Sequence, residues 1–382
     1  MSHPNQIEEP TLNQERQEQA RKYAEAGRRL VLGDLALAGI LLLMLVFGGL
    51  SIKLAGLLAL PIVPAASIYF VILMLGYGVL SAPLSYYRGF ILPHRYGLSI
   101  QTLGGWLGDE AKSGGLSLLF GAGIVAAIYW FLTSLPQTWW LLTWGVVVLL
   151  SLILTTLAPI FIVPLFFKMK PLDDEELELR LEKLAQRAGT RAGGVYTMEL
   201  SSKGTTANAA LMGLGKTKRI ALSDTLLQQY SPPEIEIITA HELGHHRHGD
   251  IFRLLVIQSA IWLIGFYVAD LALKAGVMPL GFGGISDIAA LPLLMLIFAT
   301  FNLALMPLTN SYHRHLETAA DDYALRLTNN PKAFINAMTK LTDQNLAEAQ
   351  PSRWVELLIY DHPGYHRRVE RARRYSMYQG EG

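Results

Sequence analysis

The chain has 382 residues, 51% hydrophobic and only 16% charged, with a mean hydropathy of +0.30. Soluble domains carry about a quarter charged residues, so much of this chain must lie outside water. The net charge of +1 offers no attraction for nucleic acid, and the absence of cysteine excludes disulfides, thiol catalysis and cysteine-ligated metals.

Residues 1–29 read as a polar, partly helical arm, and so much hydrophilic chain argues against a cleavable leader. Long, almost uncharged runs then follow near 30–50, 62–86, 115–135 and 138–167, and again at 251–275 and 287–309. Each suffices, or nearly so, to cross about 30 Å of hydrocarbon as a helix. They lack the polar face of a buried soluble helix, so the expected fold is a mainly α, multi-pass transmembrane bundle of about six spans. Pro159 and Pro164 should kink the fourth span. Of 32 Lys and Arg, only Lys53 and Lys274 fall in or beside the loops of one side. By the positive-inside rule the other side is cytoplasmic: both termini, the 168–250 segment and the tail from about 310. The host membrane would be a bacterial inner membrane, or the endoplasmic reticulum in a eukaryote.

Three domains are expected: the arm 1–29, a four-span block 30–167, and a C-terminal domain 168–382 interrupted by two spans. Within the last, 172–189 has helical periodicity, an acidic first turn and Gly189 as its stop. Segments 193–201, 208–215 and 218–224 read as a small antiparallel sheet with turns at Gly204 and Gly213–Gly215. Ser231 as cap and Pro232 in the first helical position then open a helix carrying His241-Glu242-Leu243-Gly244-His245.

That pentapeptide is where chemistry enters. Residues four apart share a helix face, so His241 and His245 can offer two imidazoles to one zinc ion. Glu242 lies close enough to take a proton from a water that the ion has acidified to a pKa of about 7. A catalytic zinc needs a third protein ligand, and Glu317 in HRHLETAADDYAL (313–325) is the best placed. Asp321, one turn on, would accept the free ring N–H of a ligand histidine. His313 and His315 compete for the third position, while His246 and His248 read as solvent-facing or structural. Asp250 reads as a solvated carboxylate more readily than as a histidine's partner. His362, in DHPGYHRRVER (361–371), could supply the donor an oxyanion needs, but its sequence context leaves that open.

These residues together resemble the type I CAAX prenyl proteases, integral-membrane zinc endopeptidases, and more distantly the bacterial heat-shock membrane protease. HELGH at 241–245 is similar to the family's zinc helix, and RHLETAAD at 314–321 to its Arg-x-x-Glu-x-x-Ala-Asp segment. NAALMGLGKTKRIALSDTLL (208–227) resembles the Asn-Ala strand, where Asn208 would help position substrate backbone. His362, Pro363 and Arg368 resemble the late His-Pro motif, implying transition-state contacts from His362 and a structural or substrate role for Arg368. HRYGLSIQTLGGWLGDEAK (94–112) is similar to the loop after the early membrane helices. The eukaryotic members have seven membrane helices around an internal chamber, against the six expected here.

The resemblance implies one zinc ion and a peptide or protein substrate, but does not itself transfer the prenyl specificity. The expected activity is endopeptidase cleavage of membrane-associated proteins, prenylated in type or misfolded, in contact with membrane lipid, at the cytoplasmic face to which the Lys and Arg distribution assigns the metal motif. The rival readings are a catalytically idle zinc-binding scaffold and a transporter. The transporter is disfavoured because the spans carry few ionisable residues, Asp34 and Asp270 being the notable ones.

Overall fold

The computed structural model describes residues 11–190, 193–213 and 218–380. Part of the N-terminal arm (1–10) and the turn at Gly215 lie outside the described residues. Six helices are long and apolar enough to cross a membrane. The first four are α1 (Gln14–Phe47), α2 (Ile62–Tyr86), α3 (Leu103–Ser134) and α4 (Trp139–Phe161). The helix α1 starts well before its apolar run, capped by Asn13, whose side chain accepts from the Arg16 N–H. Pro159 lies inside α4, which ends two residues later; Pro164 then opens a separate short turn, Val163–Phe166. Large apolar side chains on the spans stay exposed, as lipid contact allows, while Tyr69, Tyr129, Trp139 and Phe266 pack the bundle's interior. Asp270 is not left bare there: Trp139 Nε1 donates to it at 2.7 Å and Lys274 Nζ at 2.8 Å.

Beyond the fourth span, β1 (Met169–Pro171), α5 (Glu175–Arg187), β2 (Val195–Met198), β3 (Ala209–Met212) and β4 (Arg219–Ser223) build a layer over a second core. The acidic first turn of α5 and its cap Asp174 follow the expected pattern. The sheet does not. Its order is β1-β2-β4-β3, and β2 pairs with β4 in parallel, so it is mixed rather than antiparallel. The reason lies between Met198 and Ala209. Gly204 is not a hairpin turn: it bridges Ser99, with Ile100 N–H donating to the Lys203 carbonyl at 3.1 Å and Thr205 N–H to that of Leu98 at 3.1 Å. A Cβ on Gly204 would collide with the Leu98 carbonyl. The Lys203 carbonyl and the Thr205 N–H thus bond the membrane block, while Leu200 and Ser201 N–H donate to Asp224 Oδ1 and Ala207 N–H to Asn345 Oδ1. That detour displaces β3 to the sheet edge and lets β4 slot beside β2. The strand β1 was missed by pattern reading because it is only three residues long.

Helix α6 (Pro232–His248) starts with Ser231 N–H donating to Glu234 Oε2 at 2.8 Å. It ends at Gly249, whose φ of +70° lets α7 (Asp250–Gly276), the fifth span, begin at once. Helix α8 (Leu291–Thr328) is the sixth span and continues far past its apolar run. This continuation packs along α6, with α9 (Pro331–Gln344) and α11 (Tyr365–Gly380) behind it. The two helices approach closest at Gly244, where an added Cβ would lie 3.1 Å from the Ala320 Cα and 3.3 Å from its carbonyl oxygen. Backbone cannot yield there as a side chain could. Gly244→Val should therefore cost about 1–3 kcal/mol, read as a lowered thermal midpoint in detergent, with Gly244→Ala milder.

Candidate metal centre and active-site cleft

The HELGH spacing does what helical geometry requires: His241 and His245 project from one face of α6 toward α8. His241 Nε2 and His245 Nε2 are 3.2 Å apart. Glu317 meets both, with Oε2 at 3.2 Å from His241 Nε2 and Oε1 at 3.3 Å from His245 Nε2. Among the described residues these three form the group able to hold a metal ion. His313, His315, His246 and His248 do not join it; His246 meets Lys218 Nζ instead, and His248 lies edge-on to Tyr323.

The opposite edge of each imidazole is held by an aspartate. His241 Nδ1 is 2.9 Å from Asp321 Oδ1, and His245 Nδ1 is 3.0 Å from Asp250 Oδ2. Asp321 and Asp250 are 1% and 2% exposed, so both are fixed. Asp321 is itself gripped by Arg368, whose Nε donates at 2.8 Å to one oxygen and Nη2 at 2.5 Å to the other. Arg368 therefore supports His241 through Asp321, while also lining the cleft.

The donor set tests what belongs there. An imidazole that donates from Nδ1 presents a bare lone pair at Nε2. Here two such nitrogens crowd a carboxylate, and the buried Glu317 Oε2 has no hydrogen-bond partner. Three electron-rich atoms at this spacing repel one another unless positive charge sits among them. A tetrahedral ion with bonds of about 2.0–2.1 Å holds its ligands about 3.3 Å apart. The residues fit a metal. Burial disfavours charge on His241, yet Asp321 and Glu317 hold its imidazole above the ordinary range, and Glu317 does the same for His245. The pocket favours positive charge in either form.

A cleft of ≈ 520 Å³ opens in front of this cluster. Its lining brings together Glu242, Asn208, His362 and Arg368 with Glu317. Glu242, next to His241 on the helix, faces the cleft rather than the core. His362 Nε2 stands 3.4 Å from Glu317 Oε2, and its Nδ1 is held by Asp361 Oδ1 at 2.8 Å. Asp361, and then Glu317 against the opposing effect of burial, hold the His362 imidazole above its usual range. Asn208 precedes the edge strand β3. Its carbonyl accepts from Ser223 N–H at 2.9 Å, which sets the alternation of the β3–β4 ladder. The backbone groups of Ala209 and Leu211 consequently point outward, to the open edge. Asn345 closes the edge just upstream, its amide accepting from Ala207 N–H at 2.9 Å and donating to Ala207 O at 3.1 Å.

Sequence reasoning underrated Asp250 and missed Asp361 and Asn345. Asp250 had a readable signal: Gly249 forces a turn that brings the first residue of the next helix back under His245. Asp361 is the immediate neighbour of His362. Asn345 reaches Ala207 across 138 residues of chain, with no local signal. Replacing Asp250 or Asp321 with Asn should weaken metal binding about 10–100-fold, measured by competition with a chromogenic chelator.

Residues 171–376 match Peptidase family M48, and residues 2–168 match the domain described as CAAX prenyl protease N-terminal, five membrane helices. Four of the six long apolar helices found here fall in or mostly in that second range. An uncharacterized metalloprotease of Bacillus subtilis is 33% identical over 288 residues, spanning 74% of this chain and 68% of that protein. A rice CAAX prenyl protease 1 homolog is 31% identical over 284 residues, spanning 74% and 67%. The crystal structure of Saccharomyces mikatae Ste24p superposes with a TM-score of 0.82 over 96% of this chain and 92% of that one, at 23% identity, which establishes a shared fold.

Proposed function

The chain belongs to peptidase family M48 and is an integral membrane metalloprotease of the CAAX prenyl protease type; on that premise we propose that it is a zinc endopeptidase cutting membrane-associated proteins, prenylated in type or misfolded, at the cytoplasmic face. The observation that carries this reading is the meeting of two aspartate-held imidazoles and one carboxylate beside an open strand edge. His241, His245 and Glu317 would hold the zinc, the three-ligand set that leaves a position open for substrate and water. A fourth protein ligand, which a structural site would need, is not present among the described residues. That favours an enzyme over an idle scaffold. When bound, the ion supplies Lewis acidity toward the scissile carbonyl and the attacking water.

The chain's own residues do the rest. Glu242 takes the proton of the attacking water and later delivers it to the leaving amine nitrogen. His362, with Nδ1 engaged by Asp361, turns Nε2 into the cleft, where it donates to the developing oxyanion. Arg368 keeps Asp321 ionised and oriented, and Asp321 in turn keeps His241 in the tautomer that presents Nε2. The substrate lies extended along β3, bonding to the outward backbone of Ala209 and Leu211, with Asn208 anchoring one more peptide unit. Main-chain recognition of this kind tolerates varied side chains and excludes folded ones.

Six spans would leave both termini on the side of the metal cluster, and the distribution of Lys and Arg supports that side as cytoplasmic. Segments 1–29, 30–167 and 168–382 serve as arm, membrane block and peptidase domain. The test uses purified protein on an unfolded reporter and a farnesylated peptide, with chelator and with Glu242→Gln. Glu242→Gln should retain stoichiometric zinc and lose cleavage by about 10²–10⁴-fold or more; retained cleavage would defeat the mechanism. Cutting of the reporter alone identifies quality control, and cutting that needs the lipid identifies prenyl-peptide processing. His362→Ala should lower kcat by about 10²–10³-fold with little change in KM, as loss of an oxyanion donor requires.

A further inference from the structure

Between α9 and α11 the chain forms a short helix, α10 (Arg353–Leu358), whose polarity is inverted. Its acidic residue points inward: Glu356 is 8% exposed, with Arg367 Nη2 at 3.1 Å from its Oε2 and Gly364 N–H donating at 3.4 Å. Its large apolar residues point outward. Trp354 is 72% exposed, and Leu357, Leu358 and Ile359 follow at 41–44%. In water this arrangement costs free energy, since a contiguous apolar patch is wetted while the acid that could cover it is turned inward onto Arg367.

The position of this helix removes the contradiction. Asn310 Nδ2 donates to the Leu358 carbonyl at 2.9 Å, and Arg314 Nη1 to the carbonyls of Glu356, at 2.9 Å, and Tyr360. Residues 310–314 follow directly on the apolar run of the sixth span. On its other flank, Arg28 Nη1 donates to Glu348 Oε2 at 2.7 Å and to the Tyr360 hydroxyl at 3.3 Å. Arg28 lies two residues before the apolar run of the first span. The ends of two apolar spans thus bracket the segment.

We propose that α10 with Ile359 is an in-plane membrane anchor whose outward face, led by Trp354, lies in the headgroup–acyl boundary on the side of the metal cluster. Tryptophan is suited to that boundary, with an apolar ring and a polar N–H. Aliphatic neighbours sink beside it, as in monotopic amphipathic helices. The anchor ends three residues before His362, so the bilayer surface becomes one of the supports of the loop that carries this histidine. The other supports are Arg314 and Arg28.

The absence of cysteine makes the test direct, because Trp354→Cys and Leu357→Cys each introduce the single thiol of the chain. Each full-length variant, and Glu370→Cys on the exposed face of α11 as the aqueous control, carries a nitroxide in phosphatidylcholine–phosphatidylglycerol vesicles. Power saturation is then compared between oxygen, which partitions into lipid, and a water-soluble nickel chelate. Labels at 354 and 357 should collide several-fold more with oxygen relative to nickel than the label at 370. Free access of nickel to 354 and 357 would overturn the proposal, as would a label reached by neither reagent, which marks a protein contact. If both cysteine variants fail to fold, bromolipid quenching of wild type minus Trp354→Phe decides the same question: quenching assigned to Trp354 supports the anchor, and its absence refutes it. Neither readout needs catalysis, so the result is independent of the protease reading.

Discussion

Three electron-rich atoms from two helices meet within about a ligand-to-ligand distance, and this confrontation can persist only with positive charge between them. The surrounding architecture serves to hold it. Each imidazole is pinned from behind by a buried aspartate, and one aspartate is pinned by a buried arginine. The two helices approach so closely at Gly244 and Ala320 that an added Cβ would lie 3.1 Å from the Ala320 backbone. Breaking any of these supports releases the strain by separating the ligands, so their value lies in orientation more than in net stability.

The same helices tie the cluster to the bilayer. Helix α7, the fifth span, begins at Asp250, the residue that holds His245. Helix α8 carries Glu317 and Asp321 on its continuation beyond the sixth span. The 94–101 loop of the membrane block bonds the Lys203 carbonyl and the Thr205 N–H, and this interruption between β2 and β3 leaves β3 at the sheet edge beside the cleft. The membrane part is therefore a structural component of the cleft, with Tyr23 and Ala24 of α1 forming one of its walls.

The legibility of the sequence followed the range of the interactions. The six spans could be read because a hydrocarbon core demands long uncharged runs, a requirement each segment meets alone. His241 and His245 could be read because four residues of helix put them on one face, and Glu317 with Asp321 for the same reason. The sheet was misread where a local rule was applied to a non-local outcome: Gly204 looked like a turn, but its smallness serves a close approach to Leu98. Asp250 looked solvated because an isolated acid beside a glycine usually is.

What the chain by itself determined, then, was periodic: spans, helix starts and stops, and pairs of side chains four residues apart. Those features depend on hydropathy and on the helical repeat, both of which act within a few turns. What only the tertiary structure decided was which pairs face one another: α6 against α8, Arg368 on Asp321, Asn345 on Ala207, β4 between β2 and β3. These contacts join segments from tens to more than a hundred residues apart. Their geometry is set by packing between helices and by backbone groups seeking partners, and neither leaves a mark at any single position.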